Sequence, residues 1–119
     1  MYNKEIFKDI IKQSEYVFAV KDKGANLEIN TSYVMTGSGD FFTLYLVEDI
    51  QHNFYITDGA WILDHADEID IDKNFVVKQA STYNLTLDER KFTQKVDTLN
   101  VVRVIDTIID FAQDLGIIE

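Results

Sequence analysis

The sequence predicts an α+β fold in a single domain over residues 1–119, a small antiparallel β-sheet (a meander plus a later hairpin) with helices packed on one face. Three observations predict it. Between residues 16 and 57 runs rich in β-branched and aromatic side chains are separated by glycine-bearing or polar turns. After Asp58-Gly59 the apolar spacing changes from two to between three and four residues. A chain of 119 residues with 46% hydrophobic and 13% aromatic side chains can also bury a core of its own.

The elements follow in order. From Asn3 to Ser14, Ile6, Phe7, Ile10 and Ile11 make one helical stripe, and Lys4, Lys8 and Lys12 occupy another face. Tyr16–Val20 reads as a short strand ended by a turn at Lys21–Gly24. Leu27, Ile29, Thr31, Tyr33 and Met35 alternate with mostly polar neighbours, the pattern of a half-buried strand. A turn at Gly37–Asp40 leads to a strand at Phe42–Val47, whose expected antiparallel partner is Phe54–Thr57.

Asp58 is placed to cap a short helix in which Ile62, Ala66 and Ile69 share a face. A second short helix spans Lys73–Tyr83, with Phe75, Val76, Gln79, Ala80 and Tyr83 on one side. Leu85–Leu87 and Phe92–Val96 pair as a hairpin across Asp88–Lys91. Val101, Ile105, Ile108, Ile109, Ala112 and Leu115 then stripe a final helix, which Gly116 ends. No repeat or low-complexity segment interrupts this order.

The charge is uneven. Against 11 lysines and arginines stand 21 aspartates and glutamates, a formal net charge of -10. Residues 1–23 carry five lysines and four acids, and residues 73–119 carry six basic residues and seven acids. From Gly24 to Asp72 there are ten acids and no lysine or arginine. This asymmetry points to an interaction surface. Ten negative charges equal the phosphates along about 17 Å of duplex, so a basic groove is a fitting partner and direct nucleic-acid binding is not. A plain solubilising surface is the simpler account of the same acids.

Other classes are narrowed by composition. The chain has no cysteine, which excludes disulfides, thiolate metal sites and cysteine nucleophiles. Its first residues lack the apolar core of a signal peptide, and no run approaches the length of a membrane span. A cytoplasmic protein that neither spans nor adheres to membranes is expected.

Candidate chemistry is sparse. Asp64, His65, Asp67, Glu68, Asp70 and Asp72 are the candidate metal ligands, but a calcium loop begun at Asp70 would need glycine and glutamate where Phe75 and Ser81 stand. Only two histidines, His52 and His65, are available. The expected reading is a solvated helix end with a polar histidine, with no metal and no cofactor. Gly37-Ser38-Gly39 lacks the lysine of a phosphate-binding loop, and the serines lie in no nucleophile elbow. Trp61 with Tyr55 and Phe54 could stack a ligand, although packing of helix on sheet is the simpler role.

Leu44-Tyr45-Leu46 followed by Tyr55-Ile56-Thr57-Asp58-Gly59-Ala60-Trp61-Ile62-Leu63 resembles the N-terminal domain of the bacterial and phage family named domain of unknown function 1828. In that family a strand ending Leu-Thr-Asp-Asp-Gly precedes an aromatic residue and a leucine. The resemblance covers most of residues 15–115, with one residue fewer between Asp58 and the Trp61 region and without the family's second domain. It carries no catalytic residues. Its implication is context, since family members occur in prophages and mobile elements.

Together these readings lead to one expectation. The chain is a non-enzymatic inhibitor from a phage or mobile element, of anti-CRISPR or anti-restriction type, that binds a basic nuclease effector. Glu48, Asp49, Asp58, Asp64, Asp67, Glu68, Asp70 and Asp72 would meet arginines and lysines, with Tyr55 and Trp61 as anchors. An immunity protein against a basic toxin would use the same physics. A small metal-dependent or hydrolytic enzyme built on Asp58 and His65 is the alternative from another class.

Overall fold

Six strands form one antiparallel sheet in the order β1-β2-β3-β4-β6-β5 in the computed structural model, which describes residues 4–119. The strands are β1 Val17–Asp22, β2 Asn26–Val34, β3 Phe41–Glu48, β4 Phe54–Thr57, β5 Thr86–Asp88 and β6 Lys91–Val96. Four helices accompany them: α1 Lys4–Ile11, α2 Trp61–Glu68, α3 Lys73–Thr82 and α4 Val101–Asp114. The α+β class holds. The meander and the later hairpin merge into a single sheet, because β6 pairs with β4 from Phe54↔Val96 to Thr57↔Thr93.

Alternation along the strands builds the core. Leu27, Ile29 and Thr31 of β2, Phe42, Leu44 and Leu46 of β3, and Phe54 and Ile56 of β4 are buried. Phe7 of α1 meets Phe54 at 4.7 Å between ring centroids, and Phe111 of α4 meets Phe92 of β6 edge-on at 5.3 Å. All six residues of the α4 stripe are buried, and Gly116 ends the helix at φ +76°. The opposite sheet face presents half-exposed side chains such as Glu28, Tyr45, Val47, Tyr55 and Thr93.

Several local expectations are corrected. The predicted helix start at Asn3 lies outside the described residues, and Ile6 of its stripe is exposed. Strand β1 runs on to Asp22, held there by the Lys4–Asp22 ion pair at 2.9 Å. Phe75, placed on the apolar side of α3, is 49% exposed; Val76 and Ala80 alone bury that helix. The chain end after Gly116 is too short to show a periodic pattern in the sequence. It bridges Met35↔Ile118 beside the β2–β3 turn, with Thr36 N–H donating to the Ile117 carbonyl at 2.8 Å.

Candidate functional site

Strand direction decides where the acids go. β3 begins beside Asp40 and ends at Glu48, so eight residues of extended chain put about 25 Å between its two ends. Of the predicted interface, Trp61, Asp64 and Glu68 line one hollow and Glu48, Asp49 and Tyr55 another at a different place on the surface, while Asp67, Asp70 and Asp72 line neither. Neither holds Asp58.

Asp58 is fully buried and is a correction to the predicted contact set. Its Oδ2 accepts from Ile62 N–H at 3.0 Å, and its Oδ1 accepts from Ala60 N–H at 3.2 Å and Phe92 N–H at 2.8 Å. The N-cap position of α2 is Ala60, not Asp58 as expected, but the Asp58 carboxylate satisfies amides at the helix entry and ties α2 to β6. Burial pushes its pKa up to about 6, while the three backbone donors pull the other way. With no solvent exposure it cannot serve a partner surface.

Gly59 and Ala60 both take left-handed backbone, at φ +63° and +74°. This turn presses Gly59 against Tyr45: a Cβ there would lie 2.7 Å from the Tyr45 ring. Trp61 Nε1 points to the Tyr45 hydroxyl at 3.5 Å. Trp61 therefore sits beside Tyr45 of β3, rather than with Tyr55 and Phe54 at the far end of β4.

The first hollow is a cleft of about 270 Å³ beside α2. Asp40 from the β2–β3 turn, Asp64 and Glu68 from α2, and Trp61 line it. Spacing on α2 places Asp64 and Glu68 one turn apart on the same side. His65 forms part of the wall and is 6% exposed, against the expectation of a solvated histidine. Its Nε2 donates to the Thr36 carbonyl, and its Nδ1 lies 3.1 Å from the Glu68 carboxylate. The ring pins α2 to the β2–β3 turn, which leaves neither nitrogen open toward a reacting group. Among the described residues no group of three or more histidines, aspartates and glutamates is arranged to hold a metal ion.

Arg90, in the β5–β6 turn, reaches the rim of this cleft. Its Nε donates to Asp64 at 3.0 Å and its Nη2 to Asp67 at 2.8 Å. Both carboxylates hold that guanidinium more firmly protonated than usual. Asp67 is thus paired, a contact invisible from a segment that itself contains no lysine or arginine. Asp72 is committed elsewhere, its carboxylate accepting from Asn74 N–H at 2.7 Å to cap α3, and Asp70 is exposed in the α2–α3 link.

The second hollow is a trough of about 530 Å³ on the open sheet face. Val47, Tyr55 and Thr93 contribute to its floor; Glu48 and Asp49 stand at the β3 end and Asp88 at the β5 end. Asp49 accepts from Gln51 N–H at 2.9 Å and Asn53 N–H at 3.0 Å. These bonds, with the Tyr55 hydroxyl, keep its carboxyl below the usual carboxylate range. Glu48 faces His52 Nδ1 at 2.7 Å.

The sequence reading missed Asp40 and Arg90 for the cleft and Asp88 for the trough. Asp40 was legible as an acid in the uninterrupted run; the other two come from a hairpin that only tertiary folding brings near. No family model, no curated protein and no solved structure matches the chain. Among the described residues no helix is long and apolar enough to cross a membrane.

Proposed function

We propose that this chain is a non-enzymatic inhibitor that uses the acidic cleft beside α2 to bind a basic nucleic-acid-handling protein, with the cytoplasm as its place of action. One observation carries the reading. Asp40, Asp64 and Glu68 converge beside the half-exposed indole of Trp61, and at the rim Asp64 and Asp67 already hold a guanidinium, that of Arg90. A partner's arginine would find there carboxylates at suitable spacing and an aromatic face for its planar head. The surrounding charge of -10 would steer a basic protein toward the site from a distance.

The resemblance to a family frequent in mobile elements favours a nuclease complex of the host as the target. The ten acids of residues 24–72 do not act as one duplex-like row in this reading, since Asp58 is buried, five line two separate hollows, and Glu28, Asp67, Asp70 and Asp72 line neither.

The test begins with capture of partners from host lysate at low and high salt, followed by kinetics and activity assays on the purified protein retained. The expected result is one basic nuclease whose activity is inhibited and whose association rate falls as salt rises. Reversal of Asp64 and Glu68 to lysine should weaken binding at least about tenfold, the scale of a lost charge-assisted contact. Capture of a basic toxin instead would make the chain an immunity protein. Binding that survives the reversal unchanged would remove the cleft from the mechanism.

A further inference from the structure

Strand β1 breaks its own alternation at one residue. Val20 is buried against the core, and in a regular strand Phe18, two residues before it, would face the core as well. The register instead shifts between Val17, which pairs with Thr31, and Ala19, which pairs with Asn30. This bulge leaves Phe18 as the extra residue and turns it out of the core, 68% exposed. Its ring meets that of Phe41 across β2, with centroids 6.2 Å apart. Phe41 precedes the buried Phe42 in β3, so it too faces away from the core, and it is 54% exposed. Single exposed hydrophobic side chains are ordinary, whereas an aromatic ring re-aimed by a bulge onto a second one is a built patch.

The patch adjoins the acidic cleft. Asp40, which lines the cleft, directly precedes Phe41 in the chain. Tyr45, on the same face of β3 as Phe41, supports the cleft wall: Gly59 lies against its ring and Trp61 Nε1 points to its hydroxyl. Among the described residues no lysine or arginine lines the cleft. We infer that Phe18 and Phe41 are the apolar anchor of a surface whose charged half is the cleft, and that the partner presents an arginine with an aromatic or large aliphatic side chain beside it. The arginine enters among Asp40, Asp64 and Glu68, and its neighbour covers the two rings. The carboxylates beside the patch select a basic protein over a second copy of this chain, whose net charge of -10 repels it. Desolvating the rings supplies affinity that exposed charge pairs alone lack. The inference rests on the reading of the cleft as a site for a basic protein and names the second side chain that such a protein brings.

The probes are two dipeptides, acetyl-Arg-Trp-amide and acetyl-Arg-Gly-amide, titrated into the full chain at low salt and followed by amide chemical shifts. Acetyl-citrulline-Trp-amide, which keeps the ring and loses the charge, is the comparison. Both arginine peptides should shift the amides of Asp40, Asp64 and Glu68. The Trp peptide should also shift Phe18 and Phe41 and bind about threefold to tenfold tighter, the gain of an aromatic contact. Citrulline should cost at least about tenfold. Phe18→Ser combined with Phe41→Ser should abolish the gain from Trp and leave the affinity for the Gly peptide unchanged, with a urea midpoint close to that of the wild type.

The shifts of the unmodified chain decide the matter whether or not the variant folds. Equal affinity for the two arginine peptides, or silent Phe18 and Phe41 amides beside a responding cleft, overturns the anchor and leaves the cleft reading intact. Equal binding of the citrulline and arginine forms of the Trp peptide overturns it as well, since the rings then act without the cleft. If neither arginine peptide shifts Asp40, Asp64 or Glu68, the cleft reading falls and the anchor falls with it.

Discussion

Asp58 and Asp64 are six residues apart in the chain, and folding gives their identical side chains opposite work. Asp58 lies under the start of α2 with three backbone N–H donors on its carboxylate. Asp64, a turn further along the same helix, faces outward and shares an arginine with Asp67. Both are acids of the segment without lysine or arginine, so net charge alone treats them alike. The difference lies in desolvation: a carboxylate out of water must be satisfied locally, whereas an exposed one is available to a partner. Acidic surface and acidic framework must therefore be separated before charge is read as function.

The largest effect should come from removing the buried member. Asp58→Ala strips the acceptor from two buried N–H groups, those of Ile62 and Phe92, and unties α2 from β6. Its cost should be at least ~3 kcal/mol in chemical unfolding, about what two orphaned buried donors imply. Asp58→Asn keeps the shape and refines the comparison through pH. The folded pKa of Asp58 is raised to about 6 from the ordinary 3.8, so the folded state binds the extra proton between those values. That contribution is complete below about pH 4 and is lost as pH rises through about 6. Relative to Asp58→Asn, the wild type should gain stability from pH 7.5 to pH 5, by about 1.4 kcal/mol. Parallel pH profiles for the two proteins would show that the buried carboxyl is not perturbed.

A smaller effect should come from the turn between the two aspartates. Gly59→Ala places a Cβ 2.7 Å from the Tyr45 ring at φ +63°, where a side chain is already disfavoured. The expected loss is ~1–3 kcal/mol, together with a displaced Tyr45–Trp61 contact visible in tryptophan fluorescence. An unchanged stability would mean that the ring swings aside, and the cleft wall formed by Trp61 would then be adjustable rather than fixed.

How much of this was legible follows from the range of each signal. The α4 stripe, the β3 and β4 runs and a bond from Asp58 to the first turn of α2 were readable, because each is a pattern within a few consecutive residues. The bond from Phe92 N–H to Asp58, the bridge of Ile118 to Met35 and the reach of Arg90 to Asp64 were not. Those contacts join residues 34, 83 and 26 positions apart, and no local spacing encodes them. The division of the acids into two hollows was hidden for a related reason: composition counts Asp40 and Glu48 together, while one strand between them sets them at opposite ends. Phe75 shows the reverse limit, a side chain with the right helical spacing that nothing packs against closely enough to bury.

The smallest expected effect on stability is the most telling for the exposed member. Arg90→Ala releases Asp64 and Asp67 from the guanidinium that they share. The pair is solvent-exposed, so the ion pairs contribute little to folding and the urea midpoint should stay within experimental scatter. Binding should move instead. Arg90 occupies carboxylates that a partner's arginine would use, so its loss should tighten the partner severalfold and quicken its association at low salt. If Arg90→Ala unfolds the chain appreciably, the α2 acids are framework like Asp58, and the contrast between the two aspartates disappears. If stability holds and affinity falls, Arg90 itself touches the partner, and the surface extends from the cleft onto the β5–β6 turn.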